Sequence, residues 1–365
     1  MKFFLTVFIV VLSILPSTSF AKPKVAMLIS GYGTTENPHL SYDLEELAQA
    51  YLVLNDNGVD IDIISPKGGS VLVKNNKDDL DYIQTFKKYA LTKLKNTLSS
   101  EQAVNTDYDA LFIVGGDGAM FDLPSHKQTQ AWITRLVNNN KVIAAVCHGP
   151  AALVDIKLDN GEYFVSGKQV NGFTRIEDLA FKKENIALYP FVLQTKLEER
   201  NAHFVHNAPM LPFVAVDKHL ITAQNPMSVA MAADALVLKL GLTPKTRKQF
   251  KDEATLNLVA KARTNGAYLI DIALATEPDK YNMNYLALYG FYAYGVADSE
   301  HEKRISLKLK EQIGKHFRHP KYMESLISAY LSQNLPEKAK AAFETLKLQF
   351  PKHEISNELM TKLAL

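Results

Sequence analysis

Val142-Ile-Ala-Ala-Val-Cys147-His148-Gly149-Pro150 is the segment that decides the fold. Five apolar residues make a strand buried on both faces. It ends on a nucleophile between small residues, and the proline beyond suits the first position of a helix. A strand that turns through a nucleophile into a helix is the elbow of hydrolase-type α/β sheets. Small residues at Ala145 and Gly149 let the chain turn sharply, and the following helix end supplies positive backbone dipoles that favour a thiolate.

Outward from this elbow, the pattern repeats. Lys24–Ser30 reads as a buried strand that stops at Gly31, and Ser41 can cap a helix running to Asn57. Val59–Ile64 alternates as a strand and runs into Ser65-Pro-Lys-Gly-Gly69. A lysine-rich insertion at about 70–105 carries a helix over 83–98. Ala110–Val114 is a third strand, ending at Gly115-Gly116-Asp117-Gly118, and a helix over Gln128–Val137 leads back to the elbow. Phe213–Val216, Leu220–Ala223 and a helix over Met227–Leu240 close the series. Strands alternating with helices predict a doubly wound, mostly parallel α/β sheet, with ligands at the carboxyl ends of its strands.

Gly241-Leu-Thr-Pro-Lys245 marks a boundary, giving an α/β domain over 22–242 and an all-α region over 243–365. Tyr322–Gln333 and Glu337–Phe350 form a helical hairpin that resembles one tetratricopeptide-type repeat, or else an amphipathic extension that packs on the first domain or on another subunit. Met1–Ala21 has the layout of a secretory signal peptide cleaved after Ala21. A periplasmic or secreted chain, with no stable membrane insertion after cleavage, is expected.

Composition excludes other classes. The chain has 365 residues, 47% hydrophobic and 22% charged, and a net charge of +2. No basic run is long enough for nucleic acid, and Lys245, Arg247, Lys248 and Lys251 read as a solvated linker or helix face. His203 and His206 are spaced so that a strand would point them to opposite sides, so no metal site and no cofactor is expected. Cys147 is the one cysteine of the chain and has no intramolecular disulfide partner.

Four segments in order carry a family resemblance: Ser65–Gly69, Gly115–Pro124, Ala145–Ala152 and Gln224-Asn-Pro-Met-Ser228. Residues 24–240 thus resemble the ThiJ/PfpI superfamily, in particular its glyoxalase-III and chaperone branch. The resemblance implies a class I glutamine-amidotransferase-like sandwich. It implies Cys147 as nucleophile with His148 beside it, and a first-helix glutamate sharing a proton with the cysteine. Glu46 is the best match for that glutamate, with Glu45 as the alternative. An acid following Gly172-Phe-Thr174 would orient the histidine: Asp178, with Glu177 next to it. An oxyanion would be held by backbone N–H groups at His148 and the Gly116-Asp117 turn. Relatives often carry histidine where this chain has Asp117, whose charge would repel a thiolate or else change substrate choice. The implied activity is cofactor-independent conversion of a small carbonyl such as methylglyoxal to a hydroxy acid, or deglycation of a glycated protein. Two alternatives stay open: a cysteine amidase or peptidase, and an exported chaperone with a redox-sensing cysteine whose C-terminal helices bind a protein partner. A homodimer is compatible with the family.

Overall fold

The computed structural model describes residues 22–33, 38–71, 73 and 80–363. The expected signal peptide lies outside the described residues.

The chain builds a seven-stranded sheet in the order β3-β2-β1-β4-β5-β9-β8. Its strands are β1 (Lys24–Leu28), β2 (Asp60–Ser65), β3 (Leu98–Ser99), β4 (Ala110–Ile113), β5 (Val142–Val146), β8 (Val214–Asp217) and β9 (Leu220–Ala223). All neighbours pair in parallel except β8 with β9. A separate parallel pair is formed by β6 (Gln169–Val170) and β7 (His203–Phe204). The continuous apolar strands follow from burial on both faces. Val25 and Met27 point into one core and Ala26 and Leu28 into the other; Val142, Ala144 and Val146 likewise oppose Ile143 and Ala145.

The first core is closed by α1 (Leu44–Asp56) and α7 (Val229–Lys239), together with α2 (Asp81–Lys95) of the insertion. The second is closed by α4 (Lys127–Asn138) and the connections after β5. The layers are therefore helix, sheet, helix. Short helices complete this part: α3 (Ser100–Ala103), α5 (Arg175–Phe181) and α6 (Leu193–Glu199).

Three local expectations change. Helix α1 is capped by Asp43, not Ser41: the Asp43 Oδ1 accepts the N–H groups of Glu45 and Glu46 at 2.9 and 3.1 Å. Ser41 is two residues too early to reach the first turn. Beyond Cys147, Gly149–Leu153 forms a 3-10 turn in place of a long helix, so little helix dipole acts there. Arg247 is not a solvated linker residue. Its guanidinium donates to both carboxylate oxygens of Glu253, at 2.7 and 2.8 Å, and to Asp234 at 2.9 Å.

From residue 251 onward every regular element is helical: α8 (Lys251–Asn265), α9 (Leu269–Thr276), α10 (Met283–Tyr292), α11 (Glu300–Gly314), α12 (Pro320–Ser332), α13 (Pro336–Gln349) and α14 (Asn357–Lys362). The hairpin read at Tyr322–Phe350 is α12 and α13, turning at Asn334 with φ +54°. These helices share a core with the α/β part: Leu256, Val259, Leu286 and Tyr289 pack with Met210 and Leu211, and Phe181 packs against that cluster. A buried hydrogen bond of 2.7 Å joins Gln49 Nε2 of α1 to Asp252 of α8.

Arg247 holds the junction between the two parts. Arg247→Leu would strand the buried Glu253 carboxylate, and urea unfolding should show a loss of about 3 kcal/mol. Adding Glu253→Gln, which keeps the cap on Phe250 N–H, should recover most of it.

Candidate active site

Cys147 ends β5 with a backbone φ of +54°. Its N–H donates to Ala223 of β9 at 2.9 Å, and its carbonyl accepts from Phe173 N–H at 2.8 Å. Both neighbours hold the nucleophile in a conformation that residues with a Cβ rarely adopt. The side chain is 4% exposed.

Glu46 reaches the same point from α1 and is 1% exposed. Its Oε2 accepts the Gly115 N–H at 2.8 Å, and the carboxyl is within hydrogen-bonding reach of the Cys147 thiol. This approach requires glycine at 115: a Cβ there would lie 2.7 Å from each of Cys147 Cβ, Glu46 Oε2 and Val146 O. Glu45, the alternative, points elsewhere and accepts the Tyr82 hydroxyl at 2.7 Å and the Tyr285 hydroxyl at 3.4 Å.

Burial, reinforced by the Asp43 charge, holds the Glu46 carboxyl well above the usual carboxylate range. Burial and then the Glu46 charge push the Cys147 thiol up, against the pull of Lys182. A thiol pulled down by a helix end, as the elbow suggested, is therefore not what the structure contains. The thiol and the carboxyl instead form a buried pair in which burial and mutual repulsion disfavour charge on either group.

His148 is fully buried, with Nδ1 3.8 Å from Cys147 Sγ and Nε2 2.9 Å from Asp178 Oδ1. Asp178 accepts the proton on Nε2, which leaves the Nδ1 lone pair facing the thiol. Phe173 and Tyr189 flank the imidazole, with ring centroids at 4.9 and 5.5 Å. The neighbouring acids of α5 separate by role. Glu177 closes a capping box with Thr174 and also accepts from Met210 N–H, Gln224 and Asn225. It locks the loops together, while Asp178, one position on, faces the histidine.

The N–H groups of Gly116, Asp117 and His148 donate to no described residue. They are available to an oxyanion. The charge of Asp117, expected to repel a thiolate, is already matched. Its carboxylate meets Lys182 Nζ at 2.6 Å and the Asn185 side-chain amide at 2.8 Å, and lies 3.9 Å from His148 Nδ1. Lys182 was not singled out in the sequence, although it sits one helical turn beyond Asp178 and so shares its face. Asp117, Lys182, Asn185 and His39 line a cleft of about 500 Å³. His203 and His206 are exposed, and the His206 Nδ1 lies 2.8 Å from the Asn207 carbonyl. Among the described residues no group of three His, Cys, Asp or Glu side chains is arranged to hold a metal ion.

Residues 40–238 match the DJ-1/PfpI family, and the chain belongs to it. The chain is 30% identical over 212 residues to the glutathione-independent glyoxalase hsp3101 of Schizosaccharomyces pombe, a match covering 53% of this chain and 84% of that one. Glyoxalase 3 of Candida albicans is 28% identical over 170 residues, covering 44% and 70% of the two chains. Among solved structures, the Rapid Encystment Protein 24 KDa of Francisella tularensis is similar at a TM-score of 0.54 and 29% identity, covering 60% of this chain and 99% of its own. Glyoxalase III from Candida albicans shares the fold at a TM-score of 0.52 and 22% identity, covering 59% and 96%.

The two adjacent acids give a clean test. Asp178→Asn should lower turnover by about 100-fold or more through the wrong imidazole tautomer, with unfolding unchanged within about 1 kcal/mol. Glu177→Gln should do the reverse, lowering stability by about 2 kcal/mol with turnover changed by less than about tenfold.

Proposed function

We propose that this chain converts an α-oxoaldehyde such as methylglyoxal to a 2-hydroxy acid, using no cofactor. The observation that carries this reading is the buried pair of Glu46 and Cys147 with His148 and Asp178 beside it: a nucleophile with two proton carriers. The names of the related glyoxalases support it.

The Cys147 sulfur adds to the aldehyde carbon, and its proton passes to the new oxygen through Glu46 or His148, giving a hemithioacetal. The proton on that carbon is then removed and returned to the adjacent carbon by way of an enediolate. The aldehyde carbon is oxidised to a thioester, and the ketone carbon is reduced to the alcohol. Water cleaves the C–S bond, releases the hydroxy acid and restores the thiol. Substrate plus one water equals product, so no external electron carrier is needed. Glu46 suits the shuttle because burial holds its carboxyl well above the range of an exposed glutamate, so it keeps a proton more readily. The His148 Nδ1 faces the same sulfur and is the second base. The amides at 116, 117 and 148 suit the developing oxyanion.

The test is hydroxy-acid formation from methylglyoxal by the chain beginning at Lys22. Cys147→Ser should abolish it, and Glu46→Gln should lower it about 100-fold or more. No turnover in a folded wild type whose Cys147 still reacts with iodoacetamide would overturn the carbonyl reading and leave the amidase alternative.

We also propose that the chain is exported, on the strength of the charged, apolar and small-residue order of Met1–Ala21. Expressed at full length in a bacterial host, it should be recovered outside the cytoplasm with Lys22 as its first residue. A cytoplasmic chain that retains residues 1–21 would sink this proposal.

A further inference from the structure

The site is crowded with acids: Asp43, Glu46, Asp117 and Asp178 are grouped around the nucleophile, and the chemistry proposed above adds another negative charge at the enediolate. Lys182 is the cation whose charge reaches both Glu46 and Cys147. It stands at the end of α5 with its side chain 30% exposed, and its ammonium meets the fully buried Asp117 at 2.6 Å. Lys183, Glu184 and His39 face the same cleft, and Tyr189 lies behind it against His148. An ammonium has three N–H donors, and Asp117 takes one of them. The others are open to the cleft, which at about 500 Å³ has room for a three-carbon molecule and joins the site through Asp117, 3.9 Å from the His148 Nδ1 that faces the thiol.

We propose that Lys182, held in place by Asp117, is the electrophile of this site: it donates to the oxygen on the carbon next to the aldehyde. The role rests on the carbonyl reading for its substrate, but its position as an anion-binding group does not. During the reaction that oxygen gains negative charge as the enediolate forms. An ammonium fixed by an ion pair stabilises such charge more than it stabilises the neutral ketone, so its effect falls on the transition state. The substrate class follows. Aldehydes with a carbonyl on the adjacent carbon place charge where Lys182 waits; simple aldehydes do not. The Asp117–Lys182 pair also explains how an aspartate is tolerated against the histidine. The carboxylate acts as the holder of the cation, and Asn185 satisfies its second oxygen at 2.8 Å.

The experiment compares alkylation of Cys147 by neutral iodoacetamide and by anionic iodoacetate, reagents of similar size, in the full chain at one pH. Changes in thiol reactivity affect both reagents, so their ratio isolates anion binding. Lys182→Met should slow iodoacetate about tenfold more than iodoacetamide. Lys182→Arg should keep the wild-type ratio within about threefold. Lys182→Met leaves Asp117 buried without its partner, so the double variant Asp117→Asn/Lys182→Met is the control. Loss of iodoacetate preference persisting in the double variant supports the proposal; recovery in it assigns the effect to the stranded carboxylate and overturns it. An unchanged ratio in Lys182→Met also overturns it. With methylglyoxal, Lys182→Met should lower kcat by about 100-fold, with a smaller change in KM. A wild type inactive on methylglyoxal whose alkylation ratio still depends on Lys182 would defeat the carbonyl reading and leave the anion site standing.

Discussion

The Glu46 carboxyl and the Cys147 thiol are buried against each other and cannot both carry charge. Much of the molecule is arranged around that restriction. Gly115 must lack a side chain for the two to meet, and its N–H must point at the carboxyl. Asp43 must start α1 so that Glu46 falls on the inner face of the first turn. Strand β5 must stop abruptly enough to present sulfur instead of continuing its ladder. The parallel sheet supplies the frame, because its loops converge at the carboxyl ends of β1, β4 and β5.

The helical C-terminal part belongs to the same arrangement. Helix α10 touches both helices that carry the acids. Tyr285 reaches Glu45 on α1, and Tyr292 packs against Phe181 on α5 at a ring distance of 5.1 Å. These two tyrosines are seven residues apart, two turns along one face of α10. Gln49 and Asp252 add a buried bond between α1 and α8. The α/β part therefore has its site-bearing helices braced from outside the sheet.

The sheet was legible because a strand buried on both faces has little choice of residue: β1, β4 and β5 are apolar throughout. Cys147 and His148 were legible for the same reason, since the elbow breaks an otherwise apolar run. The third acid, Asp178, followed from the family resemblance and is the residue that meets His148, but residue chemistry alone did not separate it from its neighbour. Glu177 and Asp178 are adjacent carboxylates at one helix start and both are buried; the loops around Met210, Gln224 and Asn225 take up Glu177, which leaves Asp178 to His148. Lys182 was missed because its partner Asp117 lies 65 positions earlier and on another loop. The thiol's environment was misjudged because Pro150 is as compatible with a 3-10 turn as with a full helix, and burial outweighs a short dipole. The ion pairs of Arg247 were hidden by their setting, since a basic stretch in a linker reads the same whether or not carboxylates fold onto it.

The left-handed backbone at Cys147 has a consequence for how such a chain can decay. Holding a residue with a Cβ at φ +54° costs on the order of 1–3 kcal/mol. Glycine would relieve that cost while deleting the sulfur. The most comfortable occupant of the position is thus an inactive one, and a lineage selected for robustness alone would drift towards losing its chemistry.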